Sequence, residues 1–128
     1  MPDANTDAAT LPRVLLVDDS PWLRRSVRAA LERAGLVVVG EAADGAEALT
    51  QAATHHPDLV LMDLSMPGMD GIQATQALRR QQPEIRVVLW TARDDIQLAR
   101  AIRRSGAHAG LAKGIRTVEL IATLRAVC

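Results

Sequence analysis

The chain has 128 residues, 48% of them apolar, with Trp22 and Trp90 its only aromatic side chains and fifteen basic residues balanced by fifteen acidic ones. That is the length of one domain, which can bury roughly two-thirds of its unfolded surface without staples. A single cysteine, Cys128, excludes an intrachain disulfide or a thiolate metal site, the balanced charge argues against a nucleic-acid surface on this domain alone, and no apolar run approaches the ~18 residues of a membrane span.

Residues 1–12 are rich in Asp, Ala, Thr and Pro, with no basic and apolar regions in series as a signal peptide requires. They read as a disordered lead-in to a domain over 13–127, and a cytoplasmic location without membrane contact is expected. The first strand is predicted over 14–17 and ends in Asp18-Asp19. Ser20-Pro21 supplies an N-cap and a first-turn proline for a helix that Gly35 closes. A β-branched strand follows over 36–39, then a helix opened by an Asp44/Glu47 capping box and broken by His55-His56-Pro57. His55 and His56 read as solvated loop residues. The third strand, 59–62, ends in Asp63. After the turn-rich 66–71, Asp70 caps a helix that stops before Pro83. A fourth strand over 85–90 leads to Thr91, Asp94 or Asp95 caps the next helix, and Gly106 ends it. A weak fifth strand over 108–112 leads to Lys113, and Thr117 is expected to cap the last helix.

Strands alternating with helices predict an α/β fold, a five-stranded parallel sheet with helices on both faces. Each acid then lies at the carboxyl end of a buried strand, the edge where open α/β sheets bind ligands. The 2-1-3-4-5 strand order places the first and third strands side by side, so the acids meet at the switch point. Two carboxylates ~5 Å apart repel by about 3 kcal/mol at an effective dielectric of ~20. Such a cluster calls for a cation, a proton or a chemical task. Taken singly, Asp18 also reads as a helix-start acid, Lys113 as a solvated lysine and Thr91 as a helix cap.

Together, Val17-Asp18-Asp19, the run Met62-Asp63-Leu64-Ser65-Met66-Pro67-Gly68-Met69-Asp70-Gly71, Thr91-Ala92, and Gly106-Ala107 leading to Lys113 resemble the receiver domain of bacterial two-component response regulators. The resemblance covers nearly the whole chain and implies a flavodoxin-like, doubly wound fold. It implies that Asp63 is the phosphoacceptor and that Asp19, Asp63 and the Ser65 backbone carbonyl ligate Mg²⁺, with Asp18 acting through water. Lys113 would pair with Asp63 and then with the phosphoryl group, and Thr91 would donate its hydroxyl to it. The chain would then not be an enzyme beyond its own phosphorylation and autodephosphorylation. Its partners would be a sensor histidine kinase or a phosphotransfer domain, with a homodimer left open.

Several positions depart from that pattern. The aromatic usual three residues before the lysine is Gly110 here, and Trp90 precedes Thr91 where a smaller apolar residue is usual. Trp90 is expected to fill core volume; the sharper alternative gives it part of the switch role with Thr91. Lys113-Gly114, Asp18-Asp19-Ser20-Pro21 and Leu124-Arg125-Ala126-Val127 resemble receivers joined to helix-turn-helix domains of the NarL/LuxR type. DNA contact and transcription regulation would then belong to an output domain absent from this chain. Ser65 and Arg93 occupy the positions that tune phosphate lifetime in the family. Trp22 is a candidate anchor for a kinase domain if exposed, although a half-buried position is expected. Two other readings are a weakly switching or stand-alone receiver that only binds partners, and a haloacid-dehalogenase-like phosphatase. The phosphatase is disfavoured because Asp63-Leu64-Ser65 lacks the second acid of an Asp-x-Asp and no cap domain is present.

Overall fold

A computed structural model describes residues 12–92 and 95–128. The expected lead-in, apart from Pro12, lies outside the described residues, as do Arg93, Asp94 and the side chain of Asp95. Five strands and five helices alternate: β1 (Arg13–Val17), α1 (Pro21–Arg33), β2 (Val37–Ala42), α2 (Gly45–His55), β3 (Leu59–Asp63), α3 (Gly71–Gln81), β4 (Arg86–Thr91), α4 (Asp95–Ser105), β5 (Ala109–Ala112) and α5 (Thr117–Val127). The sheet is parallel in the order β2-β1-β3-β4-β5, as expected.

The apolar strand runs follow from burial on both faces. Successive strand residues point to opposite sides of a sheet. Leu15, Val17, Val60, Met62, Val87 and Leu89 therefore pack under α2, α3 and α4, while Val14, Leu16, Leu59, Leu61, Val88 and Trp90 pack under α1 and α5. Each such Leu or Val contributes roughly 1.5–3 kcal/mol when fully buried. Trp90 is a core residue, 4% exposed, as its volume-filling role requires.

Local signals set most boundaries. The Ser20 hydroxyl accepts from the Leu23 N–H with Pro21 in the first turn. Asp70 and Gln73 form a reciprocal capping box. His56, at φ 47, ends α2 in the left-handed region before Pro57.

Three expectations are corrected. Strand β2 runs past residue 39 to Ala42, because the charge of Glu41 is held by Arg24 at 2.9 Å and Arg28 at 2.8 Å. The register shift opposite Val14/Leu15 falls where the predicted strand stopped. The Asp44 side chain does cap Glu47 N–H, but Glu47 accepts from Ala43 N–H, so the second half of that box closes one residue early. Thr117 is the first residue of α5 and not its cap. Arg116 is the cap, in extended backbone without a side-chain bond, and its carbonyl accepts from the Glu119 and Leu120 N–H groups.

Candidate functional site

The register brings the strand ends together. Val17 pairs with Met62, Asp63 with Trp90, and Thr91 with Ala112, so Asp18, Asp63, Thr91 and Lys113 fall on one edge. Backbone bonds fasten it: Asp18 N–H to Ala42 carbonyl, Leu64 N–H to Trp90 carbonyl, and Lys113 N–H to Thr91 carbonyl at 2.8 Å. Gly71 locks the β3–α3 turn, since a Cβ there would stand 2.3 Å from the Asp63 carbonyl oxygen and 2.8 Å from Leu64 Cα.

Asp18 and Asp63 are 3% and 2% exposed, Thr91 is equally buried, and Asp19 faces solvent. Asp18 Oδ1 accepts from Ser20 N–H at 2.9 Å, and Asp63 Oδ1 accepts from Ser65 N–H at 3.1 Å. Lys113 Nζ donates to Asp18 Oδ2 at 2.8 Å and lies 3.3 Å from Asp63 Oδ1, so the ammonium is shared and sits nearer Asp18. The same Nζ stands 5.5 Å from the centre of the Trp90 ring, within cation–π range. Arg24 donates to the Asp18 carbonyl while it holds Glu41.

The charges do not balance. Asp18, Asp19 and Asp63 each present an oxygen within 4.8 Å of the others, against one ammonium. Burial first, and the Asp18 charge second, push the Asp63 carboxyl above the usual carboxylate range; Lys113 and the Ser65 N–H offset part of this. Burial alone would lower the Lys113 ammonium, but the Asp18 hydrogen bond and both carboxylates raise it. A hard divalent cation with oxygen ligands suits this donor set, because it removes the excess negative charge where it is least screened. The acidic cluster can therefore bind a metal ion.

Residues 14–125 match the family described as the response regulator receiver domain. The chain belongs to the response-regulator receiver family. This receiver is 36% identical over 115 residues to the response regulator UvrY of Escherichia coli (strain K12), covering 89% of this chain and 53% of UvrY. Among solved structures it resembles a LuxR-family two-component response regulator from Aurantimonas sp. SI85-9A1 (TM-score 0.87, 34% identity, covering 92% of this chain and 85% of that one). It also resembles the Vibrio cholerae chemotaxis protein CheY4 (TM-score 0.83, 30% identity, covering 93% and 100%). The receiver spans about half the length of the curated relatives it matches. The family match sets aside the phosphatase reading. Among the described residues no helix is long and apolar enough to cross a membrane.

Other positions sharpen the picture. Trp22 is 69% exposed on α1, which overturns the half-buried expectation. A Cβ on Gly110 would meet Leu98 Cδ1 at 2.6 Å and Ile102 Cδ1 at 2.9 Å, so α4 side chains fill the space of the missing aromatic. Installing one by Gly110→Tyr is expected to destabilise the receiver by about 1–3 kcal/mol through overpacking. Combined with Leu98→Ala, part of that loss should return, and a double-mutant cycle by urea unfolding reads the coupling. Additive losses would show that Leu98 does not occupy the site. Sequence reasoning missed Arg24, and it read Gly71 as part of the turn-rich motif without foreseeing its close approach to the Asp63 backbone. It also passed over a signal for Lys113: this is the only lysine in the chain, the other fourteen basic residues being arginine.

Proposed function

We propose that this receiver takes a phosphoryl group from a sensor histidine kinase or phosphotransfer domain onto Asp63. The observation that carries this reading is a buried carboxylate beside an ammonium, at a sheet edge with two further carboxylates. An Asp63 carboxylate oxygen attacks phosphorus; the new O–P bond forms as the donor's N–P bond breaks, and the imidazole leaves with the electron pair. Asp19, Asp63 and the Ser65 carbonyl would hold Mg²⁺, with Asp18 reaching it through water. When bound, the ion neutralises charge on the incoming phosphate. Lys113 turns from the carboxylates to the phosphoryl oxygens, and Thr91 donates its hydroxyl to them. Water later hydrolyses the acyl phosphate, releasing inorganic phosphate and restoring the Asp63 carboxylate, so the only turnover in this reading is the receiver's own phosphorylation cycle.

The switch follows from the same movement. Lys113 leaves the Trp90 ring, and Trp90 packs under α1 and α5. Gly110 carries no aromatic to move with Thr91, so Trp90 is the better candidate to relay the change. The weakly switching alternative rests on the same glycine. Exposed Trp22 on α1 suits contact with the kinase. By likeness to its relatives, the receiver would act in the cytoplasm and control a DNA-binding output domain, alone or as a homodimer.

The test is intact-mass measurement after incubation with Mg²⁺ and acetyl phosphate. A hydroxylamine-labile phosphoryl adduct is expected, absent in Asp63→Asn and without Mg²⁺. An unchanged adduct in Asp63→Asn would move the phosphoacceptor elsewhere.

A further inference from the structure

The balanced net charge conceals a segregation. Helices α3 and α4 together carry five arginines, Arg79, Arg80, Arg100, Arg103 and Arg104, and one acid, Asp95, at the start of α4. On α1, Arg24 and Arg28 are paired with Glu41 and Glu32, while Arg25 and Arg33 are exposed without an ion pair among the described residues, and neither borders the groove between α3 and α4. None of the five arginines forms an ion pair among the described residues, and Arg100, Arg103 and Arg104 are exposed. Between the two helices runs a groove of about 460 Å³. Leu64, Ile72 and Ala101 supply apolar lining, and Arg100 and Arg104 stand along it. Asp70 also borders it, with Oδ1 committed to the Gln73 N–H.

We infer that this groove is a docking surface for an acidic amphipathic helix of a partner protein. An apolar lining edged by unpaired guanidinium groups complements a helix with Leu on one face and Glu beside it. Nucleic acid would use the charge but not the lining, and the groove offers no aromatic platform for bases, since Trp90 is buried against α1 and α5 and Trp22 lies on α1. The groove also borders the phosphoacceptor candidate: Leu64 and Ser65 line it, and the Ser65 N–H is bonded to Asp63.

The test needs no phosphorylation, so it stands or falls apart from the reading of Asp63. A fluorescein-labelled synthetic helix of Leu and Glu is titrated with the receiver and followed by anisotropy. Saturable binding is expected, weakened at least ~10-fold in Arg100→Glu/Arg104→Glu and also reduced in Ile72→Ser. A control with the same change of net charge, Arg25→Glu/Arg33→Glu on α1, should bind like the parent, with circular dichroism confirming the fold of each variant. No binding to the parent, equal losses in both double variants, or oligo-dT bound as tightly as the peptide would each overturn the inference.

Discussion

Replacing Gly71 with alanine is expected to destabilise the receiver by about 3 kcal/mol, the upper end of overpacking costs. Two effects compete. Alanine in the first turn of α3 would gain up to ~1 kcal/mol in helix propensity. The new methyl would overlap backbone, with the Asp63 carbonyl oxygen at 2.3 Å and Leu64 Cα at 2.8 Å, and backbone cannot step aside as a side-chain end can. Sterics should therefore win, displacing the residue that holds the candidate phosphoacceptor. For a domain of this size the midpoint should fall by roughly 12 °C, at about 4 °C per kcal/mol. Phosphorylation by acetyl phosphate should fall in parallel. A variant that melts with the parent would show that the turn relaxes freely.

Lys113→Ala should produce a loss of comparable size with a different signature. It leaves Asp18 and Asp63 buried without a counter-charge, which costs about 3–5 kcal/mol in closed sites, and the partial exposure of Lys113 puts this site at the lower end of that range. Roughly 3 kcal/mol is expected from urea unfolding at pH 7 without metal. Millimolar Mg²⁺ should restore more stability to the variant than to the parent. The pH dependence has a definite sign. The folded Asp63 carboxyl already lies above its unfolded value. Its contribution is therefore greatest below the unfolded value and fades as pH rises through the folded one. Without the ammonium that upward shift grows, so the deficit should shrink on lowering pH from 7 towards 5. A deficit independent of pH and Mg²⁺ would assign the lysine a packing role only.

The sheet was legible because burial on both faces leaves a continuous apolar run, as at residues 14–17 and 59–62. The candidate site was legible because its residues follow those runs directly, and strand order does the rest. What escaped the sequence depends on contacts between distant residues. β2 continues through Glu41 because arginines on α1 reach it. How Lys113 divides itself between Asp18 and Asp63 depends on side-chain placement across 95 positions. Gly71 looked like turn chemistry after Asp70, and only the packed backbone shows that its missing methyl matters. The blank at Gly110 was visible in the sequence; its filling by Leu98 and Ile102 was not.

The solitary lysine has a practical consequence for anyone studying the protein. Amine-reactive dyes, crosslinkers and succinimide-coated chips find one side-chain target here, and it is the ammonium that the acidic cluster shares. Labelling at that position would silence the behaviour it was meant to follow. The exposed thiol of Cys128 is a lone handle well separated in sequence from the cluster, so maleimide coupling is the chemistry to prefer for probes and immobilisation.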